Sequence, residues 1–461
     1  MARRVHFYEG LKDGQMGEWY PNGNSKTDAY FQQNHPDGVQ SEWHENGQLK
    51  RRAEFTFGLK QGWHREWNAA GELLFEACFA DDQVNGTAIS WWNKDQIKTN
   101  FTFDKGKKQG THKWFYKDGT PERIAEYKDD LQVGKMQAWY PDGSLQAVQT
   151  FKNGKPVGVH RNYYPKKAPN QKYKERLAHL FQYDDEGQMH GEERTYYEDG
   201  SLQLTIRYHH GKMDGKREIY DPQGNLAEEA NYVLGKLDGK YSQKTPDGRE
   251  VVTHYKNNLK NGLHTISYPP NMKGEKIKAL EANFKDDLLE GVAIEYNERG
   301  QKLAETPYIA GKKEGTAKVF AGDAMISVTI EFFKDKRNGM MVEFYPNGST
   351  YREMYYFDDM REGEERSYHR NGNLASVFRY ENDKLNGLAQ SWNEEGILTF
   401  EAGYVDGLRH GKFCKYYDDG SPLLEQNFVS DVLEGQKKKY DKEGKLTVFQ
   451  YESGKLLKTI H

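Results

Sequence analysis

The sequence predicts an all-β protein: one elongated, single-layer antiparallel meander of about 18 tandem hairpin repeats, twisted or curled into a trough or rod. Glycines recur at intervals of 24 residues, an aromatic residue follows each of them at a fixed distance, and turn-forming triplets separate short segments. Short strands between regular turn signals are typical of β repeat arrays. Because the 461 residues include 31 Tyr, 22 Phe and 9 Trp, we expect aromatic rings to supply most of the buried surface.

The repeat is anchored by a glycine. The interval of 24 runs from Gly14 to Gly158, resumes from Gly191 to Gly239, and runs again from Gly291 to Gly435; with Gly262 these anchors define 18 units. When the anchor is counted as position 0, position 5 is aromatic in 16 of the 18 units, position 9 is often a second glycine, and position 17 is usually aromatic. A recurring unit of this kind predicts a stack in which each repeat contacts its neighbours.

Two turns divide each unit into two strands of about six residues. Triplets such as Pro141-Asp142-Gly143 combine a residue with fixed φ, a tolerant polar residue and a glycine suited to left-handed φ. Three-residue loops of this kind join antiparallel strands. A second turn, such as the one at Asn153-Gly154, leads into the next anchor. No room is left for a helix.

The alternation of side chains along a strand predicts which positions share a face. We expect the aromatic residue at position 5 to lie opposite position 11, as Trp43 would lie opposite Leu49. Positions 15 and 17, such as Ala53 and Phe55, are expected on that same face. The reverse face is mostly charged and polar, interrupted by an aromatic residue at position 6 such as Tyr20.

The repeats fill the chain, so we predict one continuous array over 1–461. Residues 1–158 form regular, Trp-rich repeats, and 159–190 contain a basic insertion. Residues 191–290 form irregular middle repeats with a second insertion, and 291–461 form regular C-terminal repeats. The open terminal strands could pair with a second copy, so the sequence leaves the oligomeric state open.

The complete unit resembles a known family. Two segments, Gly134–Leu145 (GKMQAWYPDGSL) and Gly411–Leu423 (GKFCKYYDDGSPL), are similar to the bacterial variant of the MORN repeat. The resemblance covers residues 5–455 and includes the anchor glycine, both aromatic positions and both turns. It implies a single-layer sheet curled into a trough, and a binding or scaffolding role. Bacterial relatives of this variant are often labelled antitoxin-like.

Composition argues against several functional classes. Lys and Arg total 66 against 70 Asp and Glu, a net charge of −4, whereas dedicated nucleic-acid binders carry a basic excess. No apolar run is long enough for a transmembrane segment, and no secretory signal is visible. Because Cys78 and Cys414 are the only cysteines, we expect a cytoplasmic protein without disulfides. His209 and His210 are expected to point to opposite faces of a strand. We therefore predict no catalytic, cofactor-binding or metal-binding residues.

A protein partner is the first functional prediction, because repeat arrays present long surfaces and aromatic residues dominate interface energetics. A complex-assembly role, or an antitoxin or immunity role, would be one instance. The contact residues are predicted on the aromatic face of the first six units: Trp19, Trp43, Trp67, Trp91, Phe115 and Trp139.

The alternative is a binder of anionic surfaces, acidic lipid or nucleic acid, through the two basic insertion loops. Its contact residues are Lys166, Lys167, Lys172, Lys174, Arg176, Lys273 and Lys276. Glycan binding is a third possibility, since exposed aromatic rings suit sugars, but it fits less well with the missing export signal.

Overall fold

A computed structural model describes residues 2–166, 175–322 and 324–460. These residues form 46 strands of one antiparallel sheet and no helix, which confirms the predicted all-β meander. None of them belongs to a helix with the length and apolarity that crossing a membrane requires. The chain divides into two compact units, Met1–Lys236 and Leu237–His461.

The first unit contains 22 strands. They are β1 (Ala2–Tyr8), β2 (Leu11–Trp19), β3 (Ser25–Gln32), β4 (His35–Pro36), β5 (Gly38–Trp43), β6 (Leu49–Thr56), β7 (Leu59–Trp67), β8 (Leu73–Ala80), β9 (Gln83–Asn93), β10 (Gln96–Asp104), β11 (Lys107–Lys108), β12 (Gly110–Phe115), β13 (Pro121–Lys128), β14 (Leu131–Trp139), β15 (Leu145–Lys152), β16 (Lys155–Pro156), β17 (Gly158–Tyr163), β18 (Leu177–Tyr183), β19 (Gly191–Tyr196), β20 (Leu202–His209), β21 (Lys212–Tyr220) and β22 (Leu226–Val233).

The remaining strands begin at the last residue of the first unit and fill the second. They are β23 (Lys236–Lys244), β24 (Glu250–Lys256), β25 (Leu259–Ser267), β26 (Lys278–Lys285), β27 (Leu288–Leu289), β28 (Gly291–Tyr296), β29 (Lys302–Ile309), β30 (Lys312–Lys313), β31 (Gly315–Ala321), β32 (Met325–Phe333), β33 (Lys336–Phe344), β34 (Thr350–Phe357), β35 (Met360–Arg361), β36 (Gly363–Tyr368), β37 (Leu374–Glu381), β38 (Lys384–Leu385), β39 (Gly387–Trp392), β40 (Leu398–Val405), β41 (Leu408–Tyr416), β42 (Pro422–Val429), β43 (Val432–Leu433), β44 (Gly435–Tyr440), β45 (Leu446–Glu452) and β46 (Lys455–Ile460).

Both predicted kinds of turn are present. In the first turn of the Gly14 repeat, the Tyr20 N–H donates to the Asn24 carbonyl at 2.8 Å, so the loop itself has three residues and ends at Gly23, with φ +86°. In the second turn of the Gly110 repeat, Asp129 and Asp130 have φ of 50° and 68°. Positive φ at both central residues is the tight hairpin turn that matches the twist of paired strands.

The most buried side chains form a row along one face, at positions 2 and 15 of each repeat. The two positions lie directly opposite each other, as Met16 lies opposite Ala29 and His112 opposite Ala125. Members of the row that are no more than 8% exposed are Ala29, Ala53, His64, Ala77, Ala88, His112, Ala125, His160, Phe181, Ile206, Ala230, Thr253, Ala282, Ala317, Met354, Glu365, Ala389 and Ala402. Position 15 is therefore a core position, as its alanines predicted. Position 2 is a core position that the sequence analysis missed.

The expectation that position 5 shares a face with positions 15 and 17 is wrong. In the Gly38 repeat, Glu42 lies opposite Arg51 and Trp43 lies opposite Leu49, so Lys50 is an extra residue in β6. An unpaired residue of this kind is a β-bulge, and side chains beyond it emerge on the other face. Positions 5 and 11 do lie opposite each other, as predicted, but on the side away from the buried row.

Trp19 shows the change of face directly. A Cβ added to Gly17 would lie 2.6 Å from the Trp19 ring. The ring therefore covers the face on which a side chain at position 17 of the sequence would lie. Gly17 lies opposite Asp28, one residue along from the buried Met16–Ala29 pair. We call the side with positions 2, 15 and 17 the alanine face, and the side with positions 1, 5, 11 and 16 the tryptophan face.

Side chains at position 6 link many of the repeats to the next one at the edge formed by the first turns. The Tyr20 hydroxyl donates a hydrogen bond of 2.8 Å to the carbonyl oxygen of Trp43, at position 5 of the following repeat. The tyrosines that make this bond are Tyr20, Tyr116, Tyr140, Tyr164, Tyr197, Tyr268, Tyr345 and Tyr417. An aromatic residue that seemed only to interrupt the polar face thus holds neighbouring first turns together.

A different pair of residues links repeats at the opposite edge. The Arg361 N–H and Nε donate to Oδ1 of Asp383 at 3.0 and 2.9 Å, and the Asp383 N–H donates back to the Arg361 carbonyl at 3.1 Å. The same guanidinium lies 4.0 Å from the centroid of the Tyr380 ring. Other acceptors of the equivalent backbone bond are Asn34, Asp82, Asp130, Asn258, Asp287, Asp335, Asp359 and Asp431.

Histidines occupy position 2 in several repeats and are buried there. His112 has no exposed surface; its Nε2 lies 2.8 Å from the Thr102 carbonyl oxygen, and its ring stacks on Phe101 at 4.7 Å. Burial lowers the pKa of His112, partly opposed by the bond to Thr102, and burial also lowers the pKa of His160 and His264. Burial therefore favours the neutral form of these side chains.

Replacing Tyr345 by Phe should lower the stability of the array by about 0.5–1.5 kcal/mol, because the Tyr368 carbonyl loses a donor 2.9 Å away. The urea midpoint of the full chain measures this change. The control is Tyr355→Phe, whose side chain is 42% exposed and should leave the midpoint unchanged. Equal midpoints for both variants would contradict a stabilising role for the bridge.

The buried histidines predict sensitivity to acid. A folded pKa below the unfolded value of about 6.5 means that their contribution to stability is fully present above that pH and is lost as the pH falls below it. We expect the melting temperature of His112→Phe to fall less between pH 7 and pH 5 than that of the unaltered protein. His6→Gln, at an exposed site, should keep the original pH dependence. Identical curves for His112→Phe and the unaltered protein would refute this account.

Candidate functional site

The six predicted contact residues Trp19, Trp43, Trp67, Trp91, Phe115 and Trp139 are half-buried on the tryptophan face of the first unit. Each is opposite position 11 of its own repeat, as Trp67 is opposite Leu73 and Trp91 opposite Ile97. The carbonyl oxygens of Trp43, Trp67, Phe115 and Trp139 also accept hydrogen bonds from the preceding repeat. These rings therefore pack against the sheet and leave only part of each ring accessible.

More exposed apolar side chains lie beside them, at positions that the sequence analysis did not select. Tyr30 is 46% exposed, Val39 41%, Trp63 37% and Trp92 41%. Tyr30 is at position 16, and Val39 and Trp63 are at position 1, so these three belong to the tryptophan face. Strand alternation could have identified Trp63. It precedes the buried His64 in the strand, so its side chain points to the opposite face, which it shares with Arg65.

Cations accompany two of these exposed rings. The guanidinium of Arg65 lies 5.0 Å from the centroid of the Trp63 ring, and its Nε is 3.0 Å from Oε2 of Glu76. The ammonium of Lys98 lies 4.5 Å from the centroid of Trp92. Tryptophan beside arginine is a combination enriched at the energetic centres of protein interfaces. The arrangement can bind apolar side chains while the cations keep the surrounding surface hydrated.

The second unit has exposed apolar residues at the same repeat positions but no exposed tryptophan among its described residues. They are Leu263, Val292, Met340, Tyr355 and Leu388, which are 38–49% exposed. Tyr355 occupies position 16, the position of Tyr30 in the first unit. The second unit therefore offers matched controls for substitutions in the first.

The first basic loop is only partly described, because Lys167, Lys172 and Lys174 lie outside the described residues. Lys166 is half-buried. The Arg176 guanidinium lies 5.9 Å from the centroid of the Tyr164 ring, and its Nη1 donates to the Glu198 carbonyl at 3.1 Å. Through this hydrogen bond, Arg176 links the end of the first basic loop to the next repeat.

The second basic loop carries one cation that is already paired. Lys276 forms an ion pair with Glu250, whereas the side chain of Lys273 is exposed and only its backbone N–H is bonded, to Asn271. Ion pairing reduces the charge that these loops present to an anionic surface. Arg176 and Lys276 thus have structural contacts.

A family model described as a MORN repeat variant matches seven segments: 36–56, 108–129, 132–153, 189–210, 213–233, 361–382 and 409–430. Each match takes in two paired strands and the first turn between them, as 132–153 takes in β14 and β15. This is a MORN-repeat protein. The family makes it a repeat scaffold, and the matched segments fall in both compact units.

Solved structures similar to this MORN-repeat protein are distant. It matches a chain in "Crystal Structure of TcdB2-TccC3-Cdc42" at 11% identity and a TM-score of 0.14, over 95% of this protein and 29% of that chain. It also matches a chain of the Photorhabdus luminescens Tc holotoxin pore at 10% identity and a TM-score of 0.11, over 98% of this protein and 29% of that chain. The protein thus spans less than a third of either chain. A search of curated proteins finds no match.

Proposed function

We propose that this MORN-repeat protein is a non-catalytic, cytoplasmic scaffold that binds a protein partner on the tryptophan face of its first unit. The observation that carries the proposal is that Tyr30, Val39 and Trp63 are exposed apolar side chains on the same face as the half-buried tryptophans. Exposed aromatic residues grouped on one surface are typical of interaction sites. Complex assembly, or an antitoxin or immunity role, would each use this surface.

The partner's chemistry follows from the side chains that the face presents. Trp63 offers flat apolar surface on this face, and Arg65 places positive charge beside it. Trp92 and Lys98 form a second pair of this kind at the first-turn edge. A complementary partner presents aliphatic or aromatic side chains with carboxylates at the rim, because charge complementarity at a rim favours association and selects partners. The negative overall charge of −4 does not oppose such contacts locally, since charge separated by more than a Debye length is screened.

The paired substitution Tyr30→Ala with Trp63→Ala should abolish capture of the partner at physiological salt. Both side chains are exposed, so the array should keep its fold and its circular dichroism. Affinity purification from the native host, followed by mass spectrometry, measures the effect. The matched control is Tyr355→Ala, which alters the same repeat position in the second unit. Recovery of the same proteins with the double variant would overturn the proposed surface.

Trp43→Ala with Trp67→Ala tests the packed tryptophans separately. Since these rings lie opposite Leu49 and Leu73, their removal should cost stability as well as binding. Truncation of a large buried aromatic residue costs about 3–5 kcal/mol, and these half-buried rings should cost less. Binding lost without any change in the urea midpoint would show that the rings serve the partner alone.

Attachment to acidic vesicles distinguishes the anionic-surface alternative. Changing Lys166, Lys167, Lys172 and Lys174 to Glu would release the protein from such vesicles if the first basic loop is the contact. Under the scaffold proposal, the unaltered protein does not sediment with acidic vesicles, and the lysine variants still capture the protein partner.

A further inference from the structure

One second turn, over 184–190, differs from the others in the first unit. The regular Gly134 repeat has six residues between Phe151 and Gly158, whereas seven separate Tyr183 from Gly191. The additional residue gives this turn the form of a first turn. The Asp184 N–H donates to the Gln188 carbonyl at 2.9 Å, and Oδ1 of Asp184 accepts the Gln188 N–H at 2.8 Å. At the end of the enlarged turn, His190 lies immediately before the anchor Gly191.

The next second turn along the edge supplies two more histidines. Strand β20 ends at His209, and His210 has a φ of 45° in the tight turn with Gly211. Because His210 has left the extended conformation, the strand rule that separates neighbouring side chains no longer applies. The two rings have centroids 4.5 Å apart, so the expectation that they point to opposite faces is wrong.

Three imidazoles therefore converge from two consecutive repeats. The ring centroid of His190 is 5.4 Å from that of His209 and 5.1 Å from that of His210. One nitrogen from each ring can be chosen so that all three lie within 4.8 Å of one another. Nδ1 of His190 is shielded from solvent and has no hydrogen-bond partner in the described part of the chain. A buried nitrogen without a partner is costly unless something binds it.

A carboxylate already orients one of the rings. Oδ2 of Asp184 lies 2.8 Å from Nδ1 of His210, while Oδ1 of the same residue holds the enlarged turn. A carboxylate at Nδ1 fixes the proton there and leaves Nε2 as a free electron-pair donor, an arrangement that recurs behind metal-binding histidines. The hydrogen bond therefore prepares His210 as a ligand.

The distances suit a small transition-metal ion after modest side-chain rotation. Zinc binds imidazole nitrogen at about 2.0–2.1 Å, which places tetrahedral ligand atoms about 3.4 Å apart. His209 is exposed and can rotate inward, whereas Asp184 holds the exposed His210 ring at Nδ1. His190 and His209 line a cleft together with Arg207 and Asp214. On the side of His210, Asp184 and Glu186 bring carboxylate oxygens within 4.8 Å of a nitrogen of that ring. Carboxylates at this short distance favour a cation.

We propose that His190, His209 and His210 form a binding site for a divalent transition-metal ion of the zinc class, with Asp184 as the positioning residue behind His210. Three neutral imidazoles favour zinc, nickel, cobalt or copper over the oxygen-seeking magnesium and calcium. The fourth coordination position is open to water or to a side chain of another molecule. The ion would tie the enlarged turn of one repeat to the second turn of the next.

The test is a titration of the full-length, tag-free protein with Zn²⁺, in competition with a coloured chelator. We expect one equivalent to bind, and Co²⁺ in its place to give the visible absorption of a tetrahedral site. His209→Gln, at an exposed position, should abolish binding. Asp184→Asn keeps the Oδ1 acceptor that holds the turn but loses Oδ2, so it should weaken binding by about 10- to 100-fold.

His6→Gln is the control, because it removes an exposed histidine from another repeat and should leave affinity unchanged. Circular dichroism of each variant separates loss of the site from loss of the fold. Failure of the unaltered protein to bind Zn²⁺ in competition with the chelator would overturn the proposal. So would equal affinity in the unaltered protein, His209→Gln and the double variant His190→Gln with His209→Gln. The outcome is independent of whether a protein partner binds the tryptophan face.

Discussion

Many repeats of this protein are held to their neighbours by side-chain hydrogen bonds at the two edges of the sheet. At one edge, the position 6 side chain reaches the next repeat's position 5 carbonyl, as Tyr140 reaches Tyr163 at 2.9 Å. At the other edge, a carboxylate or amide accepts the N–H of the residue two places before an anchor, as Asp431 does for Arg409 at 3.0 Å. The described strand pairs join strands that are close in sequence, so these local bonds align the turns, and stability is expected to add repeat by repeat.

The thin core follows from the same constraint. A sheet without a large aliphatic core must bury its small residues beneath larger neighbours. The alanines at position 15 are buried and lie opposite the residues at position 2, as Ala125 lies opposite His112. Basic residues then cover the outer side of the position 17 rings, as Arg337 lies 4.1 Å from the centroid of Tyr356. Cation–π contacts of this kind contribute about 0.5–1 kcal/mol each at exposed sites. Packing within the sheet is thus sufficient to explain why aromatic and basic residues recur together in the repeats.

Much of the fold could be predicted from the sequence, because the period, both turns and the pairing of positions 5 and 11 depend on local patterns. The face of position 5 could not, since the bulge at residues such as Lys50 leaves no mark in a polar strand. The Gly239 repeat is one residue shorter than the others. Its Lys244 lies opposite Glu250 with no register shift, so this repeat lacks the extra residue that forms the bulge elsewhere. The recurrence of His64, His112 and His160 at intervals of 48 was a signal for the buried position 2. The repeat pattern predicts a second turn at His210-Gly211, but the approach of His190 depends on the enlarged turn at 184–190, which the pattern does not predict.

Local stabilisation is the central claim, and amide hydrogen exchange of Asp383→Ala tests it most directly. The substitution removes the acceptor of the Arg361 backbone and side-chain bonds while leaving the position 6 bridges in place. The account predicts faster exchange in the repeats on either side of the turn at 382–383, and unchanged exchange in repeats several units away. Faster exchange of equal size throughout residues 237–460 would show that the array opens as a single cooperative body and would contradict the account.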